Sequence, residues 1–151
     1  MPATQSIIFV NTRDFVVTLK EILREKGYKA TIMFGEMSPE ERDEMMAKFR
    51  NGEVNVIITT NMLARGIDVP EVEIIINYDV PVLHNANRTK TGDAETYLHR
   101  IGRAGRFGVK GIAITLLDRA EDKDYFDEIL EHWDMKNKVT KLESPEHLGR
   151  V

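Results

Sequence analysis

The stretch "VNVIITT" at residues 54–60 is short, rich in β-branched residues, and apolar through Val56, Ile57 and Ile58 without alternation. A strand with one wet face alternates, so an unbroken apolar run reads as a strand covered on both faces. Four more segments share this character: "SIIFV" at 6–10, "YKATIMF" at 28–34, "VEIIINY" at 72–78 and "GIAITLL" at 111–117. Helical patterns lie between them. Over 13–26, Phe15, Val16, Leu19, Ile22 and Leu23 recur at three- and four-residue steps before Gly27. The next helix is marked at its start by Ser38, Pro39 and Glu41, with Met45, Met46 and Phe49 as its core-filling inward stripe ahead of Gly52. A late acidic helix over 121–134 carries Tyr125, Phe126, Ile129, Leu130 and Trp133 on one face, its charges forming a solvated opposite face.

Strand, helix, strand, repeated, predicts an α/β domain with a mostly parallel sheet and helices on both faces. Ligands in such sheets bind beyond the carboxyl ends of the strands. That rule selects the loops at 11–13, 35–38 and 60–68, and the chain from Asp79 onward. The connection "DVPVLHNANRTKTGDAE" at 79–95 is long for a compact domain and reads as a functional or mobile loop. The tail is expected to hold an edge strand at 139–142 and then to lose pattern, with disorder near 144–151.

At 151 residues the chain reads as one domain, 1–151, able to bury a real core. Its net charge of -4 requires any nucleic-acid surface to be a local basic patch. No cysteine is present and the four histidines lack metal-cluster spacing, so no structural metal is expected. No apolar run reaches membrane-spanning length and the start lacks a signal-peptide pattern. An intracellular monomer, not inserted in a membrane, is expected, in which the sequon-like Asn87-Arg88-Thr89 carries no glycan.

One stretch resists a purely structural reading. "HRIGRAGRFG" at 99–108 sets Arg100, Arg103 and Arg106 at three-residue intervals, with Gly102, Gly105 and Gly108 at the same step. A glycine inside a helix costs about 1 kcal/mol relative to alanine, so helix stability does not explain them. Arginine offers a planar charged fork for phosphate oxygens, and glycine admits close approach. A solvated basic turn is the alternative. "NTR" at 11–13 and "TTNMLARGIDVP" at 59–70 present further hydroxyls, amides and guanidinium groups suited to phosphate. Asp68, beside Gly66, has the chemistry to accept from a sugar hydroxyl, and a turn or helix cap accounts for it equally.

The order "IIFVNTR", "TTNMLARGID", "HRIGRAGRFG", with an "ERDEMMAKFRNG" helix between the first two, resembles the second RecA-like domain of a DEAD-box ATP-dependent RNA helicase, over nearly the whole chain. The resemblance implies a three-layer RecA-like fold and an ATP site in a cleft between two such domains. Arg103 and Arg106 would then be catalytic arginine fingers, stabilising charge on the transferring phosphoryl oxygens. Asp68 would contact the ribose with Gly66 allowing the approach, and His99 would couple the nucleotide and RNA sites. RNA phosphates would be held by Asn11, Arg13, Gly35, Arg42 and Thr60. Backbone contacts of this kind carry little sequence information and weaken with salt.

The chain has no Gly-x-x-x-x-Gly-Lys-Ser/Thr loop and no Asp-Glu-Ala-Asp, the elements that hold ATP with magnesium. It is therefore expected to be half of an enzyme, its partner an amino-terminal RecA-like domain of the same protein, and to be inactive alone. It departs from the common family pattern at Pro39, where glutamine is usual, at Asn61, where aspartate is usual, and at Ala104, where threonine is usual. The join through Asn87 and Gly92 is expanded. "GEM" at 35–37, "TTN" at 59–61 and "ETYLHRIGRAGRFG" look most like the mRNA-export helicases of the nuclear pore, implying RNA or RNP remodelling and a pore-bound activator helped by inositol hexakisphosphate. The implied locations are cytoplasm, nucleus and nuclear pore. A translation-initiation-type helicase shares most of these motifs, and a stand-alone RNA- or inositol-phosphate-binding module would use the same loops without catalysis. A flavodoxin-type protein has no use for arginines aimed outward.

Overall fold

The computed structural model describes residues 4–61, 70–105, 108 and 110–150. The elements run β1 Ser6–Val10, α1 Asp14–Glu25, β2 Ala30–Met33, α2 Pro39–Arg50, β3 Val56–Thr60, β4 Ile74–Asn77, β5 Val82–His84, β6 Lys90–Gly92, α3 Ala94–Ile101, β7 Ile112–Thr115 and α4 Ala120–His132. Five strands form a parallel sheet in the order β2-β3-β1-β4-β7. Each apolar run expected to be a strand contains one; β1 matches its run, and the other four are shorter by one or two residues at one or both ends.

Both sheet faces are covered over β1, β2, β3 and β4, which is why these strands do not alternate, whereas the edge strand β7 leaves Ile112 and Ala113 exposed, against the expectation for its apolar run. Ile7, Phe9, Met33, Ile57 and Ile75 pack on one face with Phe49, Met45 and Met46 of α2. Ile8, Val10, Val56 and Ile58 pack on the other with Val16, Leu19 and Leu23 of α1. The methionine stripe is core. Helix α2 starts with the expected capping box: Ser38 Oγ accepts from the Glu41 N–H at 3.1 Å and Glu41 Oε2 accepts from the Ser38 N–H at 2.8 Å. Helix α1 gives way at Gly27, whose φ of 86° is the left-handed conformation that glycine adopts without a Cβ penalty.

Two expectations are corrected. The connection at 79–95 contains a β-hairpin in which Val82, Leu83 and His84 pair antiparallel with Gly92, Thr91 and Lys90. Its polar tip hid the pairing, because Asn85, Asn87 and Thr89 spend their hydrogen bonds on the turn itself. Its root is pinned by the Asp93 N–H donating to the Pro81 carbonyl at 2.8 Å and the Gly92 N–H to Glu128 Oε2 at 2.8 Å. No strand forms at 139–142, where a 3₁₀ turn at Lys136–Lys138 precedes irregular chain. Pro145–Arg150 is a 3₁₀ helix. A third apolar cluster of Val80, Tyr97, Phe126, Ile129 and Leu130 fastens α4 to α3, while Trp133 donates through Nε1 to the Ala94 carbonyl at 2.8 Å. Among the described residues no helix is long and apolar enough to cross a membrane.

Candidate functional site

The chain leaves β1 toward β2 and β3 on one side and later sets β4 on the other, so the carboxyl ends of β1 and β4 mark the topological switch point. That position is filled by the protein's own Arg100, which is 0% exposed. Its Nη1 donates to Asn77 Oδ1 at 3.3 Å and to the Asp79 carbonyl at 2.8 Å. Its Nη2 donates to Asn11 Oδ1 at 3.0 Å and to Asn61 Oδ1. The guanidinium carbon lies 5.2 Å from the centroid of the Phe9 ring. Burial pushes the Arg100 pKa down to about 9, while Asp79 and Asp93 pull it back up, so the group is charged at neutral pH.

The three arginines therefore do not share one surface. Helix α3 ends at Ile101 and Gly102 is its C-cap, so Arg103 lies beyond the helix. Arg100 sits in the helix one step after Tyr97 and one residue before Ile101, on the inward face, and that i, i+3, i+4 spacing was the available signal. The crowding of like charges suggested by the spacing is relieved by taking one of them inside.

The segment also does not stay at the carboxyl rim. Its start is tied there through Asp93 and Pro81, whereas the Arg103 carbonyl accepts from the Val72 N–H at 2.9 Å and the Gly105 N–H donates to the Val72 carbonyl at 2.8 Å. Val72 precedes β4, so the segment runs the length of that strand to its amino end. Arg103 Nε, like Arg100 Nε, is buried and has no hydrogen-bond partner among the described residues, and the rest of the Arg103 guanidinium makes no hydrogen bond to a described residue either. An orphaned guanidinium donor of this kind suits an anion. Among the described residues no cluster of His, Cys, Asp or Glu could hold a metal ion. Arg106, Gly66 and Asp68 lie outside the described residues. His99 is partly exposed, with Nε2 3.7 Å from Glu95 Oε1.

The remaining candidates gather at the carboxyl rim. Asn11 follows β1, Gly35 lies in the turn after β2, and Thr60 ends β3. Arg13 bridges two of these loops by pairing with Glu36, and its guanidinium carbon sits 4.8 Å from the Phe34 ring centroid. The hydrogen bond from Arg13 holds the Glu36 carboxyl below its ordinary value of 4.5. Arg42 donates through Nε and Nη2 to the Met37 carbonyl at 3.1 and 3.0 Å, fixing the same turn. Asn11 is more committed than its loop position suggests. Its N–H donates to Asp79 Oδ2 at 2.9 Å and its Nδ2 to the Val80 carbonyl at 2.8 Å, while its Oδ1 receives Arg100. Sequence spacing had no access to this network, whose members come from separate strands.

Known proteins share this sequence pattern and fold. The helicase conserved C-terminal domain family matches residues 1–108. A curated relative, the ATP-dependent RNA helicase DBP5 of Ajellomyces capsulatus, is 42% identical over 149 residues, an alignment covering 90% of this chain and 30% of that protein. The chain thus spans about a third of the length of such relatives. The solved C-terminal domain of the DEAD-box protein Dbp5 is 39% identical with a TM-score of 0.79, covering 93% of this chain and 74% of that one. A variant C-terminal domain of Saccharomyces cerevisiae Dbp5, solved bound to a Gle1 variant and IP6, is 36% identical with a TM-score of 0.80, covering 99% and 82%. By its matched family and by its likeness to these solved domains, the chain belongs to the helicase conserved C-terminal domains of the DEAD-box proteins.

Proposed function

We propose that this chain is the second half of an ATP-dependent RNA helicase motor. In this reading an amino-terminal RecA-like domain of the same protein holds ATP with magnesium. Arg103 and Arg106 reach the phosphates from this side, Gly66 and Asp68 meet the ribose, and His99 couples nucleotide to RNA. Arg13, Gly35, Arg42, Thr60 and Asn11 shape the rim that follows the RNA backbone. ATP supplies the phosphoryl transfer. What this chain contributes is positive charge placed where negative charge spreads over the transferring oxygens, and a rigid rim of donors for RNA phosphates.

The observation that carries the reading is the contrast between two arginines three residues apart. Both amino groups of Arg100 are spent on four internal acceptors, whereas the Arg103 guanidinium makes no hydrogen bond or ion pair with a described residue, and each arginine leaves its buried Nε unpartnered among those residues. A merely structural arginine spends its amino groups on internal acceptors, as Arg100 does. Likeness to Dbp5 supports a role in RNP remodelling during mRNA export, in the cytoplasm and at the nuclear pore, with an activator and inositol hexakisphosphate as partners of this domain.

The test is RNA-stimulated ATP hydrolysis by the full-length native protein. Arg103→Ala is expected to lower turnover by about 10³-fold or more, the range in which arginine fingers act, while folding and RNA binding persist. The 151-residue chain alone should not hydrolyse ATP. Unchanged turnover in the Arg103→Ala protein refutes the catalytic role and leaves an RNA-binding module.

A further inference from the structure

Arg100 Nη2 has two protons, and each goes to a different loop. One reaches Asn11 Oδ1, in the loop after β1 that continues into Arg13; the other reaches Asn61 Oδ1, at the start of the segment that continues toward Gly66 and Asp68. Under the proposed function the first loop faces RNA and the second faces the nucleotide. A single buried nitrogen therefore ties the two sides together.

We propose that Arg100 is a positioning residue that locks the RNA-facing loop to the nucleotide-facing loop, with Asn61 as the releasable half of the lock. Three features favour this over a role in stability alone. The other two anchors, Asn77 Oδ1 and the Asp79 carbonyl, are bound through Nη1, so the guanidinium stays seated on β4 when either asparagine lets go of Nη2. Asn11 has two further fastenings, to Asp79 and Val80. Asn61 is neutral, so its hold on Arg100 is a hydrogen bond without an ion pair's long-range attraction. The carboxylates that pull on Arg100, Asp79 and Asp93, both lie on the α3 and β4 side. Among the described residues, charge thus keeps Arg100 seated, while Asn61 is held by a neutral hydrogen bond.

The lock rests on the helicase reading for its consequence but not for its existence, so two measurements separate them. Hydrogen exchange on the 151-residue chain reads the lock directly. Asn61→Ala should speed exchange of the Thr60 N–H, at the end of β3, at least 10-fold while leaving the Ile8 N–H, within β1, unchanged. Equal acceleration at both sites means Asn61 acts only through global stability and overturns the proposal, as does no change at either. In the full-length protein, Asn61→Ala should lower RNA stimulation of ATP hydrolysis about 10-fold with nucleotide-free affinity for oligouridine kept within 3-fold. Asn61→Gln, which keeps a neutral acceptor oxygen, should restore stimulation to within 3-fold of wild type. Parallel loss of affinity and stimulation, or failure of Gln to rescue, overturns the coupling role. If the wild-type protein shows no RNA-stimulated hydrolysis, the helicase reading fails while the exchange result still decides the lock.

Discussion

Replacing Gly111 by alanine adds one methyl group at a point where the fold leaves no room for it. A Cβ there would meet the Gly105 nitrogen and the Ala104 carbonyl carbon and come within 2.8 Å of the Ala104 Cα. All three are backbone, so no side chain can swing aside. The segment that must yield is the one that carries Arg103 past Val72, held by the paired bonds between Val72 and residues 103 and 105. Overpacking a tight interior costs roughly 1–3 kcal/mol, and a backbone obstacle places this case near the upper end, about 3 kcal/mol. In a domain of this size each kcal/mol lowers Tm by about 2–4 °C, which gives a fall of about 6–12 °C. Gly27→Ala is the matched control. Its position has a φ of 86° and nothing within 4 Å of the added methyl, so only backbone strain applies. That strain costs about 1–2 kcal/mol and lowers Tm by roughly 2–8 °C, toward the low end because the site is a helix terminus. Differential scanning calorimetry compares the two proteins, and RNA-stimulated ATP hydrolysis by full-length variants reads the displacement of Arg103. Gly111→Ala should lose at least 10-fold in turnover and Gly27→Ala less than 2-fold. If the two variants melt together and turn over alike, the close approach of residue 111 to the arginine segment is not what holds that segment in place.

Two further outcomes are expected. Glu36→Gln should raise affinity for single-stranded oligouridine about 2–5-fold in fluorescence anisotropy and steepen its salt dependence, because Arg13 is freed for about one more phosphate. Glu36 is held below 4.5, so its pairing with Arg13 is complete above that pH and is lost only as pH falls through the lowered value. The affinity gap between the two proteins should therefore be flat from pH 8 to pH 5; equal affinities would show that RNA does not compete for Arg13. Ser38→Ala removes one half of the capping box and should cost about 1 kcal/mol in urea denaturation with turnover within 2-fold of wild type.

The strands and the two capped or stop-marked helices were legible because they are local facts. Apolar runs in 6–10 and 54–60, the Ser38–Glu41 box and Gly27 act within a few residues of themselves. The hairpin was not, since its strands carry His84 and Lys90 where an alternating pattern would be read, and its anchor Glu128 lies 36 residues on. The division of labour among the arginines was hidden for the same reason. Arg100 and Arg103 belong to one repeated interval, and only the helical spacing of Arg100 with Tyr97 and Ile101 hinted that it faces inward; the convergence of Asn11, Asn61 and Asn77 on one point is what makes it internal. Chemistry suited to phosphate was visible, but not which guanidinium is free to use it.

Arg100 also bears on the order in which the molecule can be built. Its hydrogen-bond partners lie 89, 39, 23 and 21 residues away along the chain, at the ends of three different strands. Until those ends are side by side, the guanidinium has nothing to replace its water, and entering the core early would strand a buried charge at a cost of several kcal/mol. Helix α3 must dock after β1, β3 and β4 have aligned, which makes its arrival a late and strongly non-local step. A sheet paired one residue out of register would present Asn77 to the opposite face and leave Arg100 without its acceptors. The charge at the switch point thus acts as a proofreader of strand alignment: the arginine segment can close over the sheet only after the sheet is correct.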